Sequence, residues 1–381
     1  MKKIIYADNA ATTKLDEDAF DAMKPFLIEE YGNASQPYSF TRLAKKAISE
    51  AREIIASCIG AEPGEIYFTS GGTESDNWAI KGSAFFDKLK RSMITSQIEH
   101  HAVLNTCASI ERLGYPVVYL PVSDEGIVRP EKLKQYITDK TRLVSVMLAN
   151  NEIGTIEPIA ELAEIAHEHG ALFHTDAVQA VGHIPIDVKA MGVDMLSASA
   201  HKFNGMKGSG FLFIREGVTI SSYADGGAQE RGNRAGTENV PAIIAMAVAL
   251  RKNCERMEAT AQKLRKMEQI LLEGLSSSGI DYRRNGSNNC LPGNVSISIK
   301  GVDGEMLLHR MDLKGICIST GSACDSVNTQ VSHVVEAIHA PDEYAKGTIR
   351  ISFGSDNVED DAEVIAKALI DILQGSVHKS N

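Results

Sequence analysis

Between about residues 45 and 215, short apolar or β-branched runs alternate with longer stretches in which apolar residues recur at helical spacing. This alternation is typical of βαβ units around a largely parallel sheet. One of the helical stretches, Ile159–His169, ends before Gly170, a residue suited to the position after a helix end. The pattern therefore predicts an α/β fold. Its predicted strands are Glu65–Thr69, Ser92–Ser96, Val117–Leu120, Leu143–Leu148, Ala171–Thr175, Met195–Ser197 and Gly210–Ile214.

A different pattern follows in the last third of the chain. From Thr237 to about Ser276 the sequence predicts a long, mostly helical stretch, with Pro241 near its first turn, where the missing N–H costs little. Shorter elements of both kinds come after it, which is typical of a smaller α+β domain. They are the predicted strands Gly293–Ile299, Ile316–Ser319 and Thr348–Phe353 and the predicted helices Gly304–Leu313 and Glu359–Gln374.

Composition narrows the class of protein. The chain has 381 residues, a formal net charge of −11, 43% hydrophobic residues and 23% charged residues, as expected for a globular protein of two domains rather than a disordered chain. The acidic balance argues against direct nucleic-acid binding, because phosphate contacts need clustered Lys and Arg. Neither a signal peptide nor a run of about 18 apolar residues is evident, so we expect a cytoplasmic protein with no membrane contact.

Two polar residues come after predicted strands and suit a carbonyl cofactor. Lys202, in SAHKFNGMKGSG, can form a Schiff base when its amine is neutral, although a surface lysine in a glycine-rich loop is the alternative. Asp176, in LFHTDAVQA, can pair with a protonated ring nitrogen, and a helix cap is the alternative. Because ligands collect at the carboxyl ends of strands in such sheets, the two positions support each other.

Two further segments lie at predicted strand ends. In TSGGTESDNWAI, two glycines precede a helix whose first turn carries Thr73 and Asp76 at capping-box spacing. Such a helix N-terminus favours phosphate, although a simple strand-to-helix turn is the alternative. In SQIEHHAV, the ring of His100 can stack on a planar group and pass protons near neutral pH. Adjacent histidines diverge on one element, so we expect no metal site.

Ten ordered segments that span nearly the whole chain closely resemble the NifS/IscS-type cysteine desulfurases, pyridoxal-phosphate enzymes of the class V aminotransferase group. The segments are YADNAATT at 6–13, GNASQPYSF at 32–40, TSGGTESDN at 69–77, IEHHAV at 98–103, ANNEIGT at 149–155, HTDAVQAVG at 174–182, SAHKFNGMKG at 199–208, RGNRAGTEN at 231–239, STGSAC at 319–324 and IRISFG at 349–354. The resemblance implies fold type I of the pyridoxal-phosphate-dependent transferases. It implies a large domain over residues 15–255 with a mostly parallel seven-stranded sheet. The implied small α+β domain spans residues 256–381, includes residues 1–14 and carries the loop of the catalytic cysteine.

The resemblance also implies roles for individual residues. Lys202 would hold pyridoxal 5′-phosphate as a Schiff base, Asp176 would pair with the pyridine nitrogen and His100 would stack on the ring. The other implied cofactor contacts are Gln179 at the phenolic oxygen, Asn151 near the ring and the substrate, and Gly72, Thr73, Ser199 and His201 at the phosphate. Arg350 would grip the substrate carboxylate, with Asn33 nearby. The segment of Thr237 would reach the phosphate of the neighbouring subunit, which implies a homodimer with shared sites.

A guanidinium fork matches a carboxylate, so the residue type at position 350 agrees with this role. Arg350 lies in the predicted strand IRISF, which we expect at an edge of the small-domain sheet. Without the family pattern, a surface arginine would be the preferred interpretation.

The cysteines show no CxxC pair and no zinc-ligand spacing, which is typical of free thiols in a reducing compartment. They stand at positions 58, 107, 254, 290, 317 and 324. Cys324 differs from the others because TGSACDSVNTQVS is a run of small and polar residues, which predicts an exposed, mobile loop. Four of the others lie in apolar or helical surroundings and are expected to act as packing residues, whereas Cys290 stays unassigned.

Our mechanistic hypothesis follows from the resemblance and this chemistry. L-Cysteine displaces Lys202 from the cofactor, and the freed lysine removes the α-proton. The Cys324 thiolate then attacks the substrate sulfur, which leaves a persulfide on Cys324 and alanine as the product. His100 is the candidate for proton delivery. Asp325 directly follows Cys324 and disfavours the thiolate, so we expect the site to activate the thiol.

Two alternatives remain open at this point. One is a selenocysteine lyase or another class V β-eliminating enzyme. The other is a sulfur carrier or interaction protein that uses Cys324 without pyridoxal phosphate. The sulfur acceptor is also open, since an iron–sulfur scaffold, a tRNA-thiolating enzyme or a DNA-sulfur-modifying system would each accept a persulfide.

Overall fold

The structure is a computed structural model that describes residues 4–87, 89–320 and 331–377. Cys324 and Asp325 lie outside the described residues. The strands are β1 (Ile5–Tyr6), β2 (Ile66–Thr69), β3 (Ser92–Ser96), β4 (Val117–Leu120), β5 (Thr141–Ser145), β6 (Leu172–Asp176), β7 (Met195–Ser199), β8 (Gly210–Ile214), β9 (Tyr282–Arg284), β10 (Asn294–Ile299), β11 (Ile316–Cys317), β12 (Ser319–Thr320) and β13 (Thr348–Ser352). The helices are α1 (Glu17–Met23), α2 (Pro25–Ile28), α3 (Arg42–Ile59), α4 (Gly72–Phe86), α5 (His101–Arg112), α6 (Pro130–Tyr136), α7 (Ile159–Glu168), α8 (Val240–Glu255), α9 (Met257–Ser277), α10 (Gly304–Leu313), α11 (His333–Ala337), α12 (Asp342–Ala345) and α13 (Glu359–Val377).

Seven strands form the larger sheet, in the order β2-β8-β7-β6-β5-β3-β4. The five strands from β7 to β4 run parallel, whereas β8 is antiparallel to both of its neighbours. The mostly parallel seven-stranded sheet is therefore confirmed. The bounds of the predicted strand Leu143–Leu148 are wrong at both ends. Strand β5 starts two residues earlier, at Thr141, and ends three residues earlier, at Ser145. The apolar residues of the predicted run mark burial, which continues past the end of the strand.

Helices cover both faces of this sheet. On one face, Trp78 of α4 and Ile110 of α5 pack against alternate strand residues such as Leu212. On the other face, α3, α7 and α8 pack against the intervening residues, among them Phe173 and Phe211. This three-layer arrangement explains why the strands of the sheet contain near-continuous apolar runs.

A second sheet has four antiparallel strands in the order β12-β13-β10-β9. Helices α9, α10 and α13 pack on it and form a separate apolar core that includes Leu271, Ile297 and Leu369. The N-terminal segment joins this part of the molecule, because β1 pairs in parallel with β11 and Asp8 bridges to Ser352.

The structure corrects the predicted elements of this region in several places. The helical stretch from Thr237 to Ser276 is two helices, α8 and α9, which meet at Arg256. The predicted strand Ile316–Ser319 is divided between β11 and β12, which belong to different sheets. The strand of Arg350, β13, is not an edge, because it pairs with β12 on one side and with β10 on the other. Strand β9 lies in a polar stretch that showed no strand pattern.

The domain boundary after residue 255 stays a prediction, which the break between α8 and α9 supports. No helix within the described ranges is long and apolar enough to cross a membrane.

Candidate active site

Lys202 lies in a helical turn, Ala200–Lys202, directly after β7. Its amine donates to two carbonyl oxygens of the N-terminal segment, Ala10 at 2.6 Å and Ala11 at 2.8 Å. The backbone carbonyl oxygen of Lys202 lies 2.9 Å from Nε2 of His183, and this contact holds the turn in place. The amine is therefore held at the carboxyl edge of the sheet, where ligands bind in folds of this class.

Asp176 and His100 occupy the same edge. Asp176 ends β6, is 5% exposed, and accepts a hydrogen bond from the Val178 amide at 2.9 Å. His100 precedes α5, and its Nδ1 accepts a hydrogen bond from the Ala102 amide at 3.1 Å. Burial lowers the pKa of His100, so its ring is neutral near pH 7 and its remaining proton is on Nε2.

Burial raises the pKa of Asp176, and the nearby His100 and Lys202 oppose that shift only in part. A carboxylate desolvated in this way needs a cationic partner, and a protonated pyridine nitrogen is such a partner. Together with the amine of Lys202, which follows the adjacent strand β7, this carboxylate fits a pyridoxal ring.

A cavity beside the N-terminus of α4 fits the phosphate of the same cofactor. Its lining includes backbone amides and polar side chains, and its walls are Thr12, Ser70, Gly71, Gly72, Thr73, Glu74, Ser199, His201, Lys207 and Gly208. A side chain at Gly72 would lie 2.5 Å from Val178, so glycine is required for the turn to approach the strand ends. Free amides at a helix N-terminus and a nearby lysine favour a phosphate group.

The predicted capping box at this helix is wrong. The N-cap residue is Gly71, which has no side chain to accept a hydrogen bond, and Thr73 lies inside the first turn and lines the cavity. Asp76 does not cap the helix either, since it is 1% exposed and faces the sheet. Thr73 therefore remains available to a phosphate ligand.

Arg350 is 5% exposed, so the alternative of a surface arginine is wrong. Its Nη2 forms an ion pair with Asp8 at 2.6 Å, and its Nη1 donates to the carbonyl oxygen of Asn151 at 2.9 Å. Nε of Arg350 is buried and has no hydrogen-bond partner among the described residues. The guanidinium thus joins the small sheet to the turn that carries Asn151, and its Nε–H is uncommitted.

Of three further residues assigned through the resemblance, one lies beside Lys202 in this single chain and two are exposed. Gln179 is buried and donates to the carbonyl oxygen of Ala10 at 3.0 Å, the same oxygen that accepts a hydrogen bond from the Lys202 amine. Asn33 is exposed and accepts a hydrogen bond from the Ser35 amide at 2.9 Å. Thr237 is exposed and, like Asn33, does not line the cavity beside α4.

Sequence reasoning did not assign a role to the backbone of residues 8–12 or to His183. The carbonyl groups of Ala10 and Ala11 hold the amine of Lys202, and the hydroxyl of Thr12 lies 3.1 Å from Nδ1 of His201. Backbone acceptors leave no residue-type signal, so only the resemblance of the segment YADNAATT pointed to this region.

The cysteines within the described residues behave as packing groups or lie at the margins of the core. Cys107 is buried in α5, whereas Cys58, Cys254 and Cys317 are half-buried. Cys290, for which the sequence predicts no role, is buried and forms an isolated backbone β-bridge with Thr155. No cluster of His, Cys, Asp or Glu suited to a metal ion occurs in the part of the chain that the structure describes.

Residues 5–365 match the model of the aminotransferase class-V family, and the chain belongs to this family. Within it, the chain is similar to the protein named cysteine desulfurase IscS of Methanosarcina thermophila, with 47% identity over 373 residues, which are 98% of this chain and 92% of the relative. A solved NifS-like protein has a TM-score of 0.92 and 37% identity, with 98% of this chain and 100% of that one covered. SspA, solved in complex with cysteine, has a TM-score of 0.82 and 35% identity, and the match covers 92% of this chain and 98% of SspA. The predicted fold class and the resemblance to the NifS/IscS-type enzymes are confirmed.

Proposed function

We propose that this chain is a pyridoxal-phosphate-dependent cysteine desulfurase, which converts L-cysteine to L-alanine and places the sulfur on Cys324 as a persulfide. The observation that carries the proposal is the placement of the Lys202 amine and the Asp176 carboxylate on adjacent strand ends, beside the cavity at α4. The names of the relatives, and the cysteine in the SspA structure, support L-cysteine as the substrate.

Each residue of the site has a definite task in this reaction. Pyridoxal phosphate, when bound, supplies an electron sink for the substrate α-carbon. Lys202 holds the cofactor and, once freed by the substrate, accepts the α-proton on Nζ. Asp176 keeps a proton on the ring nitrogen, and Nε2 of His100 is the nearby neutral donor for proton delivery. Arg350 binds the substrate carboxylate from the small sheet.

The same proposal includes the remaining implied contacts. Gly72, Thr73, Ser199 and His201, which line the cavity at α4, bind the phosphate. Asn151 and Gln179 contact the ring. Asn33 lies near the substrate, and Thr237 is supplied by the neighbouring subunit of a homodimer. The persulfide on Cys324 passes to a sulfur-acceptor protein in iron–sulfur cluster assembly or thiolation, in the cytoplasm.

Two variants test the central claim. Lys202→Ala should remove the visible absorbance that the covalently held cofactor gives to the purified enzyme, because the Schiff-base amine is lost. Cys324→Ala should keep that absorbance and lose sulfide release from L-cysteine, because the sulfur has no acceptor thiol. Lys46→Ala and Cys317→Ala, on α3 and β11, are the matched controls and should retain both properties.

A wild-type protein that stays colourless after addition of pyridoxal phosphate would contradict the cofactor assignment. Full desulfurase activity in Cys324→Ala would contradict the persulfide step alone. Comparison of L-cysteine with L-selenocysteine as substrates would show whether the enzyme is instead a selenocysteine lyase.

A further inference from the structure

A chain of buried polar groups lies behind Asp176, on the α4 side of the large sheet. His174 precedes Asp176 by two residues on β6, so both side chains point to the same face. The His174 ring lies between two hydroxyl groups, with Nδ1 at 2.8 Å from Oγ of Ser145 and Nε2 at 2.9 Å from Oγ of Ser197. His174 is fully buried, and burial lowers its pKa to about 3, so the ring is neutral.

Asp76 faces this chain from α4. Its Oδ1 lies 3.7 Å from Nε2 of His174, and this buried oxygen has no hydrogen-bond partner. Because the ring of His174 is neutral, the contact is not an ion pair. Among the described residues, no Lys or Arg forms a salt bridge with Asp76, so an ionised carboxylate there would be buried without a countercharge.

The other titratable groups around Asp76 are acidic, so none of them supplies a positive charge. They are Asp176 on β6, Glu99 before α5 and Cys107 on α5. Burial first, and then the charge of Asp176, raises the pKa of Asp76 well above its usual range, and a hydrogen bond with Ser197 opposes this shift only in part. Two adjacent buried carboxyl groups do not both ionise unless each has a cationic partner. The pyridine nitrogen provides such a partner to Asp176 alone.

Resting on the proposed function, we propose that Asp76 is a positioning residue for Asp176. Asp76 stays protonated in its buried place beside His174, so that the single negative charge of the pair faces the cofactor ring. A neutral Asp76 is the last of the buried polar groups between β6 and α4, and it fills the space through which water would otherwise reach Asp176. An ionised Asp76 would instead compete with Asp176 for the same proton.

Infrared spectroscopy tests the protonation state directly. We expect the carbonyl stretch of a carboxylic acid at neutral pH in the wild-type protein, both with and without cofactor, and its loss in Asp76→Asn. Since Glu99 and Glu157 can also be protonated, the difference spectrum between wild type and Asp76→Asn isolates the signal of Asp76. A difference spectrum that shows a lost carboxylate instead would overturn the proposal.

Cofactor binding tests the positioning role. Asp76→Ala leaves buried polar groups without a partner, and we expect it to weaken pyridoxal-phosphate binding by about tenfold or more. Asp76→Asn is the neutral isostere, and we expect its affinity for pyridoxal phosphate to lie within about threefold of that of wild type. The acid dissociation constant read from the pH titration of the visible band should also stay within about threefold of the wild-type value. Equal binding by Asp76→Ala and wild type, or a shifted titration in Asp76→Asn, would overturn the proposal.

The two experiments also separate this proposal from the proposed function. Wild-type protein that binds no pyridoxal phosphate refutes the cofactor assignment, whereas the infrared difference spectrum of the apoprotein still decides the protonation state of Asp76. If Asp76→Ala does not fold, the spectrum and the titration of Asp76→Asn remain decisive.

Discussion

Arg350 is preorganised by contacts that do not involve substrate. Asp8 binds Nη2 and the carbonyl oxygen of Asn151 binds Nη1, so the guanidinium plane is fixed between the N-terminal segment and the turn that carries Asn151. A preorganised fork loses little side-chain entropy when a carboxylate arrives. Through the resemblance, the sequence predicts that Arg350 binds the substrate carboxylate, and this role stays a prediction. The sequence did not predict the burial or the Asp8 contact, since the two residues are 342 positions apart.

Arg350→Lys tests this role at the residue scale. Lysine keeps the charge but cannot make the forked contacts, so we expect KM for L-cysteine to rise by about tenfold to a hundredfold, which corresponds to about 1.5–3 kcal/mol for hydrogen bonds to a charged group. The visible absorbance of the bound cofactor should not change. Steady-state kinetics and absorbance spectra check both statements.

Arg283→Lys, on β9 of the same sheet, is the matched control and should leave KM unchanged. An unchanged KM in Arg350→Lys, or an equal effect of the two substitutions, would place substrate-carboxylate binding elsewhere.

At the scale of elements, apolar runs were sufficient to predict most strands of the large sheet, because both faces of that sheet are covered by helices. Glycine turns likewise predicted where α4 begins, although not its capping. The break at Arg256 and the division of β11 from β12 could not be predicted, because α8 and α9 carry one continuous helical pattern and the two strands one continuous apolar run. Those boundaries depend on tertiary contacts, not on local sequence.

Glu157 connects two loops beside the sheet. Its Oε2 accepts a hydrogen bond from the amide of Val128 at 2.9 Å, whereas its buried Oε1 has no partner among the described residues. Burial raises the pKa of Glu157 from 4.5 to about 8. The folded protein therefore keeps a proton that the unfolded chain releases, so the stability contribution of Glu157 is complete below pH 4.5 and declines as the pH rises toward about 8.

Glu157→Gln removes this dependence, because the amide does not titrate. We expect the free energy of unfolding of the variant, minus that of wild type, to increase between about pH 5 and 8, with a slope of at most about 1.4 kcal/mol per pH unit. Urea unfolding at several pH values measures the difference. Glu161→Gln, on the exposed face of α7, is the control. A difference that stays flat over this range would show that Glu157 is ionised in the folded protein.

At the scale of the whole molecule, the N-terminal third exposes an unusual amount of apolar surface. Between residues 20 and 43, seven large side chains are at least 46% exposed, namely Phe20, Leu27, Ile28, Tyr31, Tyr38, Phe40 and Leu43. The rings of Tyr31 and Phe40 contact each other edge to face, with centroids 5.2 Å apart. Apolar surface of this extent is typical of a protein interface. Because Thr237 is also exposed and does not line the cavity of its own chain, a second copy of the chain is the partner that we propose.

Ile28→Asp tests the proposed homodimer. Ile28 is 72% exposed, so the substitution costs the isolated subunit little, whereas a carboxylate buried in a dimer interface would be strongly unfavourable. We expect the variant to sediment as a monomer at concentrations at which wild type is a dimer. It should also lose pyridoxal-phosphate affinity, because Thr237 of the neighbouring subunit would no longer reach the phosphate. Leu313→Asp, at a position 78% exposed at the end of α10, is the matched control and should change neither property. If Ile28→Asp remains dimeric with unchanged cofactor affinity, the apolar surface has another partner and each chain completes its own site.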